Sequence, residues 1–256
     1  MKTFCFTIDD NIRFLEQLTS GDYASMFEHP YLSLMRRLHD KYDLRVQLNL
    51  FYQNDTFDLS YMTDKYIEEW RENSHWLKMS FHSRRENVNP YENSGYEEVY
   101  GDCLQVHSEI QRFAGADTLA DTTTIHYCLA TDEGIRALED NGVRGLLGLY
   151  LVKGNMRSSY QNTPTQCDSI RRGEIVRQGG ISYAGIDIVL NMYTTDEILS
   201  MLPSFEDREH ISVMIHEQYF YPDYKAYQPD FADKLDATFE YLTTRGYESK
   251  FFEEVL

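Results

Sequence analysis

Short apolar runs alternate along the chain with stretches in which apolar residues recur at helical spacing. The runs are rich in β-branched and aromatic residues, which is typical of buried strands. They cover residues 3–8, 46–52, 77–83, 122–128, 143–150 and 211–216, with a further strand or hairpin over 181–190 and a last strand over 247–252. Two polar stretches, 87–101 and 153–180, are predicted to be long loops.

The stretches between the runs predict amphipathic helices. Tyr31, Leu34 and Leu38 share one helical face, and Thr194 with Glu197 forms a capping-box pattern ahead of another helix. Strand and helix in alternation indicate a parallel sheet built from βαβ units. About seven such repeats favour a closed or nearly closed β/α barrel over an open sheet. We therefore expect one α/β domain over residues 1–256.

Acidic and imidazole side chains stand at the ends of several predicted strands. In a barrel of parallel strands, the carboxyl ends of all strands meet at one mouth, where such folds carry their active sites. The residues that this argument brings to the mouth are Asp9, Asp10, His82, His126, His216 and Glu217. Each is weak evidence alone, but their convergence predicts a shared site.

These residue types suit a divalent metal, and zinc above all. Asp10 and His82 come from different strands and are the first two predicted ligands. Glu86 follows His82 by four residues, so a helical turn there would place it on the same face as the third ligand. His126 is the alternative third ligand. Three protein ligands leave a coordination position open for water.

The remaining residues at the mouth complete a hydrolytic site. Asp9 is placed to take the proton of the attacking water, and His216 to protonate the leaving group. The aromatic segment after His216 contains Tyr219 and Tyr221, which we expect to form a stacking wall for a sugar-like ligand. The combination predicts a metal-assisted hydrolase of an amide or ester.

The motifs resemble those of the polysaccharide deacetylase superfamily, the carbohydrate esterases related to chitooligosaccharide deacetylase. The first family motif is a strand that ends in Thr-Phe-Asp-Asp, and residues 7–10 here read Thr-Ile-Asp-Asp. The second is His-Ser/Thr-x-x-His, and residues 82–86 read His-Ser-Arg-Arg-Glu. The last is an apolar strand that ends in Leu-x-Leu-His, and residues 213–216 read Val-Met-Ile-His.

The resemblance implies a distorted (β/α)₇ barrel in which Asp9 is the general base, Asp10 a metal ligand and His216 the general acid. The sequence also departs from the family pattern. Glu86 replaces the second metal histidine, and residues 126–130 read His-Tyr-Cys-Leu-Ala where the family has Arg-x-Pro. His126 therefore either takes the role of that arginine or replaces Glu86 as ligand. The family's Asp-Trp motif is missing, and Asp187 is the candidate to orient His216.

The expected function is a metal-dependent hydrolase that removes an acyl group from an N- or O-acylated sugar or oligosaccharide. Two alternatives remain open. The missing arginine and second histidine favour a carbohydrate-binding barrel that has lost hydrolysis. A metal held by His126 and Glu217, without Asp10, would favour another sugar enzyme, such as an isomerase or lyase.

Net charge and the ends of the chain limit the expected partners. The formal charge of −18 argues against nucleic acid and against anionic membranes, because both would repel the protein. A small or neutral glycan is the expected substrate. The N-terminus enters a predicted strand at once, without a charged leader and apolar region, and the four cysteines form no CxxC pair. We therefore expect a cytoplasmic protein. The oligomeric state is left open.

Overall fold

A computed structural model describes residues 2–86 and 91–256. The helices are α1 (Arg13–Ser20), α2 (Pro30–Tyr42), α3 (Ile67–Asn73), α4 (Tyr96–Ala114), α5 (Asp132–Asp140), α6 (Pro164–Arg171), α7 (Thr195–Met201) and α8 (Phe231–Thr244). The strands are β1 (Thr3–Asn11), β2 (Val46–Gln53), β3 (Leu77–Arg85), β4 (Thr122–Thr123), β5 (Gly145–Gly148), β6 (Leu151–Val152), β7 (Asn155–Met156), β8 (Val176–Gln178), β9 (Ile181–Gly185), β10 (Ile188–Val189), β11 (His210–His216) and β12 (Glu248–Ser249).

The strands form two mainly parallel sheets and a small hairpin. The larger sheet has the order β10-β11-β1-β2-β3, with the short β12 also pairing with β1, and all of its pairs are parallel. The second sheet has the order β4-β5-β9-β8, in which only β8 runs antiparallel. Strands β6 and β7 form a separate antiparallel hairpin.

The two sheets adjoin at both ends, so the parallel strands follow one another around a barrel. Just before β4, Ala120 N donates to Met79 O of β3 at 2.8 Å. At the other junction, Ile186 N still donates to Gly148 O of β5, at 2.8 Å, while β10 directly after it pairs with β11. The circuit β1-β2-β3-β4-β5-β9/β10-β11 is a distorted (β/α)₇ barrel, as the sequence predicts.

The barrel centre and the helix layer bury the predicted apolar residues. Strand β1 is buried along its whole length, as expected for a parallel strand covered on both sides. Phe4 and Phe6 of β1 pack against Phe239 of α8. The predicted face of α2 is buried, including Tyr31 and Leu38. Within the described residues, no helix combines the length and apolar character needed to cross a membrane.

Four predicted elements differ from the structure. The strand expected over 122–128 ends at Thr123, because Cys128 N donates to Ile125 O at 2.6 Å in a tight turn instead of pairing with a neighbouring strand. The segment 181–190 is a strand interrupted at 186–187, not a hairpin. The predicted loop 153–180 contains α6 and β8; in the loop predicted over 87–101, residues 87–90 lie outside the described residues and α4 begins at Tyr96.

His107 is expected to make the fold sensitive to acid. It is buried in α4 beside Cys103, and burial lowers the pKa of His107 from its usual 6.5 to about 4. The folded state therefore keeps this side chain neutral, while the unfolded chain takes up a proton below pH 6.5. The stabilisation is present above pH 6.5 and is lost as the pH falls towards 4.

We expect His107→Gln to reduce the loss of unfolding free energy between pH 7 and pH 4 by on the order of 3 kcal/mol. Urea unfolding at a series of pH values measures this, with the exposed His75→Gln as the control that keeps the wild-type pH dependence. A wild-type pH dependence in His107→Gln would show that this histidine is not held neutral in the fold.

Candidate active site

A β-bulge brings both carboxylates of β1 to the same cavity. Consecutive residues of a regular strand face opposite sides. Here Ile8 pairs with Leu48 and Asn11 with Leu50, so two residues of β1 lie opposite one residue of β2. Asp10 has a φ of +63°, a left-handed conformation that Asp tolerates better than most residues. Asp9 and Asp10 consequently line the same cavity.

His82 also lies at an irregularity of its strand. Leu50 pairs with Phe81 and Phe51 pairs with Ser83, so His82 is the extra residue of β3 at this point. Its Nδ1 is hydrogen-bonded to the backbone oxygen of Thr124. A carbonyl can only accept, so Nδ1 carries the proton and the lone pair of Nε2 faces the cavity.

His126 reaches the cavity through the turn that replaces the predicted end of β4. The next two residues, Tyr127 and Cys128, both have left-handed backbones, with φ of +62° and +58°. Such conformations are costly for residues other than glycine and persist where the surroundings enforce them. The His126 ring packs edge-on against Phe51, with ring centroids 5.0 Å apart. The turn and this contact hold the imidazole in place.

Asp10, His82 and His126 form a compact cluster with metal-ligand spacing. Asp10 Oδ1 lies 3.0 Å from His82 Nε2 and 3.3 Å from His126 Nδ1, and the two nitrogens are 3.1 Å apart. A tetrahedral zinc ion with bonds of about 2.0–2.1 Å holds its ligands roughly 3.3 Å apart. A bare His82 lone pair against a carboxylate is repulsive unless a cation lies between them. The donor set and spacing therefore fit a divalent metal.

The protonation states of the cluster also suit a metal. Burial opposes the ionisation of Asp10, but the close contacts of its carboxylate with the imidazoles of His126 and His82 hold its pKa well below the usual range. Burial lowers the pKa of His82, and the neighbouring Asp10 offsets this only in part. Gln218 Nε2 donates to Asp10 Oδ2 at 2.7 Å, which leaves Oδ1 directed at the two histidines. A carboxylate beside a neutral His82 imidazole is in the form that binds a metal.

Asp9 is held apart from the cluster by a buried network. Asn49 Nδ2 donates to Asp9 Oδ1 at 2.7 Å. The orientation of this amide is fixed because its oxygen accepts from Gln47 Nε2 at 2.8 Å and from Ser80 Oγ at 2.7 Å. Burial raises the pKa of Asp9, and the Asn49 bond only partly opposes this shift. A carboxylate with a raised pKa is a stronger base, as general-base catalysis requires.

His216 ends β11 at the same mouth. Its Nδ1 lies 2.8 Å from Asn191 Oδ1, so Nδ1–H donates to the amide and Nε2 remains for a ligand. Burial lowers the pKa of His216, and Asp10 opposes that shift. His216 lines the cavity together with Tyr219, whose ring centroid lies 6.1 Å from that of the imidazole.

The cavity has a volume of about 750 Å³, within the range of small-ligand sites. Its floor carries the cluster and Asp9, and Tyr127 and Tyr219 contribute aromatic walls. Glu86 also lines the cavity, but it is exposed and lies outside the cluster. The helical turn considered for residues 82–86 does not form, because β3 continues to Arg85. Four residues of strand span about 13 Å, so Glu86 is carried away from His82.

Comparison with solved structures identifies the fold of the chain. No family model and no curated protein matches the chain. A protein from Mycobacterium smegmatis assigned to the polysaccharide deacetylases superposes over 99% of this chain and 89% of its own, with a TM-score of 0.57 and 9% identity. The Bc1960 peptidoglycan N-acetylglucosamine deacetylase superposes over 98% and 86%, with a TM-score of 0.51 and 10% identity. The chain has the polysaccharide deacetylase fold.

A third solved structure shows that this fold carries more than one reaction. The 4-α-glucanotransferase of Thermococcus litoralis superposes over 99% of this chain, with a TM-score of 0.62 and 13% identity. The chain spans only 40% of that protein's length. Function must therefore be argued from the site rather than from the deacetylase fold.

Two predicted site residues form other contacts away from the cavity. The Asp187 carboxylate forms an ion pair with Arg208 and accepts from Ser212 N at 2.8 Å, so it does not orient His216. Asn191 does so instead. Tyr221 is buried and donates through its hydroxyl to Glu217 at 2.6 Å, so it is not part of an aromatic wall. Tyr219 is the tyrosine of this segment that lines the cavity.

Glu217 is also absent from the cavity, because it caps α1. Its carboxylate accepts from the backbone N–H groups of Ile12 at 2.7 Å, Arg13 at 3.1 Å and Phe14 at 2.7 Å. These donors belong to the first turn of α1, where a negative charge is also favoured by the helix dipole. A metal shared by Glu217 and His126 is therefore inconsistent with the structure, and the isomerase or lyase alternative loses its basis.

We expect Glu217→Gln to lower the unfolding free energy by about 2–3 kcal/mol, because an amide supplies fewer acceptors to the three backbone N–H donors and no charge. Urea denaturation at pH 7 measures the change, and the exposed Glu209→Gln is the matched control with little effect. A destabilisation no larger than that of the control would contradict this capping role.

Three functional candidates escape the strand-end argument, namely Asn49, Asn191 and Gln218. The sequence does mark Asn49, since an amide inside the apolar run 46–52 is unusual for a buried strand. Gln218 lies two residues after His216, in a segment where only the aromatic residues suggest a role in binding. Asn191 carries no distinctive local pattern and is recognisable only once the barrel has closed.

Proposed function

We propose that the protein is a metal-dependent hydrolase that removes an acyl group, most simply acetyl, from an N- or O-acylated sugar. The observation that carries the proposal is the Asp10–His82–His126 cluster on the floor of a cavity that Asp9 and His216 also line. A divalent ion held by these three side chains, zinc in the first instance, supplies Lewis-acid chemistry that acidifies water and polarises a carbonyl.

The chain's own residues then have distinct roles. Asp9 takes a proton from the water whose oxygen attacks the acyl carbon, and Asn49 keeps its carboxylate in position. The bond from the acyl carbon to the sugar nitrogen or oxygen breaks. His216, oriented by Asn191, gives a proton to that leaving atom. The products are a carboxylic acid and an amino or hydroxyl sugar.

A sugar substrate is supported by the cavity walls and by the solved relatives. Tyr127 and Tyr219 offer aromatic faces with polar tips, which suit the apolar faces and hydroxyl edges of a pyranose ring. The two deacetylases with the same fold carry names that refer to polysaccharide and to peptidoglycan N-acetylglucosamine. Those names describe other proteins, and they favour an acylated amino sugar as the first substrate class to assay.

Acyl release tests the proposal directly. The purified protein is treated with a chelator, reloaded with zinc, cobalt or manganese, and incubated with N-acetylhexosamine oligomers and with O-acetylated xylo-oligosaccharides. We expect metal-dependent release of acetate from at least one class. No acetate from either class under any metal, from protein shown to contain the ion, would contradict the proposal.

Sugar binding without hydrolysis is the second candidate. It is favoured by His126, which stands where the resembling family has an arginine that positions the base. In that case NMR titration with the same oligosaccharides would show saturable binding while acetate release stayed at background. The two functions are therefore separated by measuring binding and turnover on one preparation.

A further inference from the structure

The cavity contains a cationic group for which the proposed hydrolysis has no use. Among the described residues that line it, Arg157 is the only lysine or arginine. The acids that line the same cavity are Asp9, Asp10 and Glu86. A permanent positive charge on the lining of this cavity is a specific feature, because the chain as a whole carries a formal charge of −18.

The guanidinium of Arg157 has no protein partner within residues 2–86 and 91–256. Nearby arginines differ in this respect: Arg171 pairs with Asp168 at 2.5 Å, and Arg208 pairs with Asp187. Arg157 is exposed, so its five N–H donors are available to a ligand that enters the cavity.

The backbone that carries Arg157 is fixed on both sides. Its N–H donates to Tyr150 O at 3.0 Å, and its carbonyl accepts from Arg171 Nη2 at 3.0 Å. Two residues further on, Ser159 Oγ donates to Leu149 O at 2.9 Å and accepts from Leu149 N at 3.1 Å. The guanidinium is thus presented to the cavity from a fixed edge of the barrel.

We propose that Arg157 binds a single carboxylate carried by the acylated sugar. The inference deepens the proposed function and rests on it. A planar guanidinium matches a carboxylate through two parallel hydrogen bonds. One positive charge neutralises one carboxylate, whereas a phosphate dianion would leave an uncompensated negative charge in a cavity that Asp10 and Glu86 also line. The charge of −18 also disfavours polyanions, so the substrate is an isolated sugar acid and not a highly charged polymer.

A matched pair of substrates tests the proposal. The pair is an N-acetylhexosamine oligosaccharide with one ether-linked carboxymethyl group and the methyl ester of the same compound, which lacks the charge. We expect the wild-type protein to favour the acid over the ester by about tenfold in kcat/KM. Arg157→Gln should bring this ratio close to one. Arg157→Lys should leave an intermediate ratio, because lysine keeps the charge but cannot donate the two parallel hydrogen bonds of a guanidinium.

Three controls make the outcome specific. Arg136→Gln removes the same charge from the exposed surface of α5 and should keep the wild-type ratio. Added salt should reduce the preference, since the contact is exposed. A phosphate ester in place of the carboxylate should bind less tightly. A wild-type ratio near one, a ratio unchanged in Arg157→Gln, or tighter binding of the phosphate would overturn the proposal.

Failure of hydrolysis is distinguishable from failure of the carboxylate site. If neither compound is hydrolysed, the proposed function fails, and the same pair is compared by its dissociation constants in NMR titrations. The role of Arg157 would still be supported if wild type binds the acid about tenfold more tightly than the ester while Arg157→Gln binds the two compounds equally tightly. Equal dissociation constants for the two compounds with wild type would overturn it.

Discussion

Asp9→Asn is expected to lower kcat/KM for acyl release by about 10²- to 10⁴-fold while leaving metal affinity unchanged. The asparagine keeps the volume and can still accept the hydrogen bond that Asn49 donates to Asp9 at 2.7 Å, so the barrel should fold normally. What it loses is the ability to take a proton. Asp9 is not a member of the Asp10–His82–His126 cluster, so the metal should remain bound.

The comparison that isolates this effect uses a second Asp→Asn change near the same mouth. Asp55 is exposed and lines a groove next to Asp10. We expect Asp55→Asn to keep wild-type kinetics within about twofold, as is usual for an exposed substitution away from the reacting groups. Steady-state kinetics with metal-saturated protein provide the test. Wild-type turnover in Asp9→Asn would remove Asp9 from the reaction.

Asp10→Asn should lower metal affinity, which Asp9→Asn leaves unchanged, and its loss of activity should follow from the loss of the metal. The carboxylate supplies the only negative charge among the three clustered ligands, and its Oδ1 lies 3.0 Å from His82 Nε2. A neutral amide is a much weaker ligand, and its NH₂ group cannot bind a cation. We expect metal affinity to fall by at least about 100-fold, since changes in mere supporting contacts already cost 10- to 100-fold.

Competition with a chromophoric chelator measures this affinity, and Asp9→Asn serves as the adjacent control that keeps it. Activity should fall in both variants, but excess metal should restore part of it only in Asp10→Asn. Wild-type metal affinity in Asp10→Asn would contradict the assignment of this carboxylate as a ligand.

Sequence reasoning reached the fold because the barrel is specified by regular features. Buried parallel strands are continuous apolar runs, and the runs at 3–8, 46–52 and 77–83 all lie within strands of the structure. The same logic placed Asp9, Asp10, His82 and His216 at one mouth, where they line one cavity. Their chemical roles remain proposals that the variants above address.

The finer geometry depends on irregular backbone, which local sequence patterns do not specify. The bulge at Asp10 and the extra residue His82 depend on pairing with β2, a strand distant in the sequence. The left-handed turn after His126 brings a third imidazole into the cluster, although no glycine marks it. Sequence spacing alone therefore favoured Glu86, which a strand carries outward.

The hydrogen-bond partners of the buried acids are the second feature that the sequence does not predict. The sequence predicts that an acid, Asp187, orients His216. In the folded barrel, Asp187 is held by Arg208, and the neutral amide of Asn191 orients the imidazole. Glu217 is likewise predicted at the mouth, but its carboxylate supports the start of α1. Only the folded structure shows which donors each carboxylate must satisfy.

The metal content of purified protein is the most direct test of the central claim that Asp10, His82 and His126 form a metal site. Elemental analysis is made after zinc loading and gel filtration, for wild type, His126→Ala and Glu86→Gln. We expect about one ion per chain in wild type and in Glu86→Gln, and far less in His126→Ala. An ion that survives in His126→Ala and is lost in Glu86→Gln, or no ion in any of the three proteins, would contradict it.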